Sequence, residues 1–175
     1  MLLRSRRSFN TVDLIVQYKQ QVLSYIEYRT PALYHATASV LGQLDRTQDS
    51  FLRELGIDRA AALMDFNLAP LSMRRDIALF GMLHRAALRD GAPQLREVLK
   101  RRAEGWMLVD PLEGQSPSLL MRRSIWGLIR VYNKLRGSLQ CAEVKDFQML
   151  LQERAKSIVR KGLLASWETL YSPRC

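Results

Sequence analysis

Apolar residues in this 175-residue chain recur mostly at intervals of three and four, the spacing of one face of an α-helix. From a polar start at Asn10 or Thr11, the residues Ile15, Tyr18, Val22 and Ile26 make the first such stripe. Thr30-Pro31 then reads as a stop and a start. Threonine suits an N-cap, and proline suits a first helical turn, where its missing amide hydrogen has no intrahelical partner to lose. Leu33, Thr37, Val40, Leu41, Leu44, Phe51 and Leu55 form the inward face of a second helix, which Gly56 ends. Asp58 caps a short alanine-rich helix through Phe66. Pro70 opens a fourth helix with Met73, Ile77, Phe80 and Leu88 on one side, closed by Gly91, and Pro93 starts a brief helical stretch to about Arg102.

The pattern lapses from Ala103 to Ser118, where Gly105, Pro111, Gly114, Ser116 and Pro117 punctuate a loop. Inside it, Trp106, Met107, Leu108 and Val109 make a short strand or pin the loop to the core. Ser116-Pro117 repeats the cap-and-proline start. The helix that follows places Met121, Ile125, Leu128, Ile129, Tyr132 and Leu135 inward and ends at Gly137. A last long helix runs from about Ala142 to Lys161 with Val144, Phe147, Leu151, Ala155 and Ile158 on its apolar side, and Leu163 to Tyr171 adds a turn or two. No run alternates with period two. The expectation is an all-α protein, an irregular helical bundle of about six to eight helices. Residues 1–102 and 119–175 would be two helical subdomains joined by the 103–118 loop.

Composition narrows the class without naming a chemistry. The chain is 47% hydrophobic and 25% charged, which is globular usage. No uncharged apolar run reaches the roughly 18 residues a membrane span needs. Cys141 and Cys175 are too few and too far apart for a metal knuckle or a disulfide framework, and fit reduced thiols. The start, MLLRSRRSFN, carries arginines where a secretory signal needs its apolar core, so an intracellular protein, nuclear or cytoplasmic, is expected. Net charge is +10, which favours a polyanionic partner: nucleic acid first, an anionic membrane surface second. A merely solubilising surface would carry the same charge.

Candidate catalytic groups are sparse. No adjacent Asp-Asp occurs, His35 and His84 lack a metal-ligand companion one helical turn away, and neither a G-x-S-x-G elbow nor a phosphate-cradling glycine loop is present. No catalytic residue, metal site or cofactor is expected. Two basic surfaces stand out instead. On the fourth helix Arg74 and Arg85 are three turns apart on one face, Arg75 adjoins the first, and Arg89 lies one turn beyond the second, with Ala78 and Gly81 small enough between them for close approach of a backbone. After the loop, Arg123, Trp126, Arg130 and Lys134 set one indole among three cations, a spacing suited to phosphates and a stacked base. The alternative packs Trp126 beneath a neighbouring helix with arginines stacked on it. Lys100-Arg101-Arg102 and Lys156, Arg160 and Lys161 are short basic clusters of the nuclear-import type. Asp45, Arg46, Asp49, Arg53 and Glu54 make a mixed-sign face, most simply a solvated one.

The stretch from Tyr18 to Gly56, with Tyr18-Lys19, Leu23, Glu27-Tyr28, Leu44-Asp45, Gln48, Arg53 and the closing Gly56, resembles the thumb and connection region of non-LTR (LINE-type) retrotransposon reverse transcriptases. Leu68-Ala-Pro-Leu-Ser-Met-Arg-Arg75 is similar to the element downstream, a proline-leucine step before paired arginines. Arg123 to Asn133, Phe147-Gln148 and Trp167 with Ser172-Pro-Arg look like tails seen after such elements. The resemblance implies helices that grip an RNA or RNA/DNA template–primer duplex through backbone contacts, beside the rest of a reverse transcriptase. The paired aspartates of that family's catalytic palm are missing, so the implied role is non-catalytic, with Arg74 and Arg75 the best matched positions. The rival expectation is a helical protein–protein scaffold whose basic surface is incidental.

Overall fold

A computed structural model describes residues 8–28, 36–103, 105–116, 118, 121, 124–139 and 143–162. Among these residues the only pairing outside helices is an isolated antiparallel bridge between Arg101 and Leu108. The fold is all-α. Its elements are α1 (Thr11–Gln17), a π-helical stretch (Tyr18–Leu23) and α2 (Ser24–Tyr28), then α3 (Ala38–Leu55), α4 (Arg59–Phe66), α5 (Leu71–Ala87), α6 (Pro93–Val98), α7 (Ile125–Ser138) and α8 (Val144–Arg160). Since α1, the π stretch and α2 run on without a break, the described residues hold seven helices, within the expected six to eight. None is long and apolar enough to cross a membrane. The chain divides into two compact units, Met1–Arg75 and Asp76–Cys175, with the division inside α5. The 103–118 loop therefore lies within the second unit.

Local chemistry explains most helix ends. The Asn10 side chain accepts from Asp13 N–H at 2.8 Å, the Asp58 carboxylate from Ala61 N–H at 2.8 Å, and Thr37 Oγ1 from Val40 N–H at 3.4 Å. Each satisfies an amide that the first turn leaves orphaned. Gly56, at φ 71°, closes α3 with its own N–H on Arg53 C=O and Ile57 N–H on Leu52 C=O. That double bond is the left-handed stop glycine favours. The same pair of bonds ends α5 around Arg89, at φ 59°, and not at Gly91: Arg89 N–H reaches Ala86 C=O and Asp90 N–H reaches Arg85 C=O.

Other expected boundaries move as well. Thr37 is an exposed cap, not an inward residue, and Val40, in the first turn it caps, is 43% exposed. The expected start at Thr30-Pro31 and Leu33 falls outside the described residues. Pro93 does open α6, which stops at Val98 and so falls short of Arg102. Ser124, whose hydroxyl accepts from Trp126 N–H, caps α7, so Met121 precedes the helix and is exposed, and Gly137 lies inside it. Pro117, Ala142 and Leu163 to Tyr171 lie outside the described residues.

The first unit packs Leu14, Ile15, Tyr18, Leu23, Ile26, Phe51, Leu52, Ala62, Leu68 and Leu71 into one core, with the Tyr18 ring stacked on Phe51 at 4.3 Å. Full burial of each large apolar side chain contributes about 1.5–3 kcal/mol. The expected Val22 packs against this core half-buried, and the π stretch explains why Leu23 joins it more deeply. Its i→i+5 bonding, seen in Ser24 N–H on Lys19 C=O, stacks residues five apart and so turns both Tyr18 and Leu23 inward. In the second unit Phe80, Leu83, Leu108, Leu128, Ile129, Tyr132, Phe147, Leu151 and Ala155 are all fully buried. His84 is buried among them: its Nδ1 lies 3.0 Å from Tyr132 Oη and its ring stacks on Phe147 at 4.4 Å. It is a core histidine.

Candidate nucleic-acid interface

Three arginines of the first unit, Arg59, Arg74 and Arg75, are committed to carboxylates. Arg75 is 3% exposed and grips Asp45 with both guanidinium nitrogens, Nη1 to Oδ1 at 2.7 Å and Nη2 to Oδ2 at 3.0 Å. Sequence placed Arg75 on a nucleic-acid ridge, but a guanidinium this deep has no surface to offer a partner. The Arg74 Nε donates to Glu27 Oε1 on α2, which leaves its side chain about a quarter exposed. Arg59 clamps Asp49, with Nη2 to Oδ2 at 2.7 Å. Thus Asp45 and Asp49, read from sequence as part of a solvated mixed face, tie α3 to α5 and α4.

A phenol and an amine beside Arg74 are perturbed. Burial pushes the Tyr18 hydroxyl up to about 12, against the opposing Arg74 charge. Burial first, and Arg74 second, hold Lys19 below the usual lysine range, and its Nζ donates to Phe66 C=O.

In the second unit Arg85 and Arg89 stay exposed, as the ridge requires, and Ala78 is exposed too. Gly81 serves a different purpose. A Cβ there would stand 2.2 Å from Gln148 Nε2, so the missing side chain makes room for α8, whose Gln148 Nε2 donates to Ile77 C=O at 3.3 Å. The glycine permits helix packing, not the approach of a nucleic-acid backbone.

Two clefts flank the segment that bridges Arg101 to Leu108. The first, about 540 Å³, is lined by Ala86 and Arg89 at the end of α5, Pro93, Arg96 and Glu97 of α6, then Leu99, Lys100 and Arg101. Four cations face one carboxylate there, a net +3. Arg96 Nη1 reaches Arg89 C=O at 3.4 Å and Arg101 Nε donates to Gly105 C=O at 2.8 Å, so backbone carbonyls hold two of the four cations in place. Sequence reasoning selected Arg89 but missed Arg96, and it set Lys100 and Arg101 aside as an import patch. The signal that could have found them is local density: six cations against two acids between residues 85 and 102.

The second cleft, about 560 Å³, is lined by Arg102, Met107, Asp110, Glu113, Gly114, Gln115, Arg130, Asn133 and Lys134, three cations against two carboxylates, a net +1. Arg130, a predicted phosphate ligand, points its Nε at Asp110 Oδ2 at 3.1 Å and donates through Nη2 to Leu112 C=O at 2.7 Å. Arg102 pairs with Glu113. Asn133 clamps Leu108 with both ends of its amide, accepting from Leu108 N–H at 3.0 Å and donating to its carbonyl at 2.9 Å. The Trp106–Val109 stretch is therefore pinned to α7. Lys134 remains exposed, Trp126 is half-buried, and Arg123 lies outside the described residues. An arginine does stack on an indole, but the pair is Arg136 over Trp106 at 4.7 Å.

Among the described residues no group of three His, Cys, Asp or Glu side chains gathers to hold a metal ion. No protein-family model, curated protein or solved structure matches the chain. The site's meaning rests on its chemistry: concave, cationic and only lightly countered by acid.

Proposed function

We propose that this protein binds nucleic acid without sequence preference and without catalysing a reaction on it, in the manner of the thumb and connection helices that its Tyr18–Gly56 stretch resembles. The observation that carries this reading is the first cleft of the second unit, where Arg89, Arg96, Lys100 and Arg101 surround one carboxylate. Like charges held this close repel, and a polyanion relieves the repulsion while releasing its own counterions. Arg85 extends the positive surface along α5. Arg75 is no longer among the contacts, and Arg74, half-neutralised by Glu27, is a minor one.

Binding of a labelled RNA or RNA/DNA duplex, followed by fluorescence anisotropy across a salt series, tests the reading. Log affinity should fall linearly with log salt at a slope of roughly −0.9 for each phosphate neutralised, so a cleft of four cations predicts about −3 to −4. A flat salt response, or no binding at low salt, would sink it.

A further inference from the structure

We infer that the first cleft takes a nucleotide of a single strand, or of an unpaired end, in preference to the side of a duplex. This deepens the nucleic-acid reading above and rests on it. A duplex offers a convex outer surface of phosphates with its bases stacked inside, and such a surface is met by flat or ridged protein faces. Here the cations stand around an open depression of about 540 Å³.

The lining is mixed in the way an extruded nucleotide requires. Pro93 is the exposed apolar group of the lining, with Leu99 and Ala86 almost wholly buried behind it. Arg89, Arg96, Lys100 and Arg101 supply positive charge beside it. Successive phosphates of a strand can lie along those cations while the sugar or base of one nucleotide lies against the proline. Stacked, paired bases cannot reach that proline without leaving the helix, which costs the duplex its pairing and stacking there. The backbone contacts at Arg89 C=O and Gly105 C=O keep Arg96 and Arg101 positioned before any ligand arrives, which limits the ordering cost of binding.

The test compares a labelled single-stranded oligonucleotide with a blunt duplex of the same sequence at equal salt, on wild type and on Arg96→Glu, with Lys100→Glu as a second variant. Circular dichroism checks that both variants keep their helicity. The inference expects the single strand to bind about tenfold tighter, the preference to vanish in either folded variant, and a nucleoside monophosphate to displace the strand where inorganic phosphate at the same concentration does not. Equal binding of strand and duplex, or equal competition by phosphate and nucleotide, overturns this inference and leaves the proposed function standing. Failure of both nucleic acids to bind overturns the two together.

Discussion

Both units tie arginines to carboxylates, as Arg102 to Glu113 and Arg130 to Asp110 in the second, and the second also gathers cations around a cleft. In the first, Arg59, Arg74 and Arg75 each meet a carboxylate from another helix, and charge becomes a tie between α4 or α5 and the helices beside them. In the second, Arg89, Arg96, Lys100 and Arg101 gather around one cleft with only Glu97 among its lining acids. By sequence the first unit carries ten Lys and Arg against seven Asp and Glu, the second seventeen against ten. The excess is thus larger in the unit that holds the cleft. Net charge alone therefore misleads: what a partner feels is the charge left over after internal pairing, and among the described residues four cations against one acid gather at the cleft of the second unit.

The largest expected effect tests the pairing side of this contrast. Asp45→Asn removes the charge that holds the buried Arg75 guanidinium, leaving it uncompensated in the core. Breaking a pair whose arginine is buried and whose aspartate is about a third exposed costs on the order of 2 kcal/mol. Urea unfolding should record that loss, with nucleic-acid affinity of the folded protein unchanged. A loss below about 0.5 kcal/mol would mean Arg75 is as dispensable as a surface cation.

A smaller effect probes the helix that both units share. Gly81→Ala drives a methyl into the Gln148 side chain, which must swing away and give up its bond to Ile77 C=O. Because the clash is with the end of a flexible side chain, about 1 kcal/mol of destabilisation is expected, at the low end for overpacking. Gln148→Ala in the same chain should recover most of the steric part. If Gly81→Ala leaves stability intact but weakens nucleic-acid binding, the glycine belongs to the interface after all.

The smallest effect sharpens the comparison by a feature the units have in common, a buried phenol in each. Burial raises both Tyr18 and Tyr132, the former to about 12 from 10.0. The unfolded chain releases such a proton first, so the stabilisation is intact below pH 10 and is lost as pH rises towards 12. Tyr18→Phe should flatten its share of that alkaline decline in a pH series of urea midpoints. An unchanged slope would show that Tyr18 titrates as an exposed phenol.

Helix class, several caps and the core faces were legible in the chain because they depend on residues within one or two turns. Asp58 and Gly56 act where their chemistry places them, and Phe147, Leu151 and Ala155 fall inward at helical spacing. The π stretch was not legible, since its apolar positions differ from an α-helical reading only in adding the buried Leu23 beside the half-buried Val22. Long-range pairings were hidden for a different reason. Arg75 and Asp45 are thirty residues apart and Gln148 and Ile77 seventy-one, so no local pattern distinguishes their side chains from solvated ones. Of the candidate site, Arg89 was visible on its helix, whereas Arg96, Lys100 and Arg101 join it only because the chain turns at Arg89 and again after α6.

One measurement bears on the central claim most directly. Three charges are removed from each region in turn, Arg89→Ala, Arg96→Ala and Lys100→Ala in one variant and Arg53→Ala, Arg59→Ala and Arg74→Ala in the other, and the salt dependence of nucleic-acid binding is compared at equal net charge. The account predicts that the cleft variant loses about 2 to 3 from the magnitude of the log–log slope, while the first-unit variant stays within about 1 of wild type. Equal losses in the two variants would mean that net charge, and not its gathering at the cleft, governs binding.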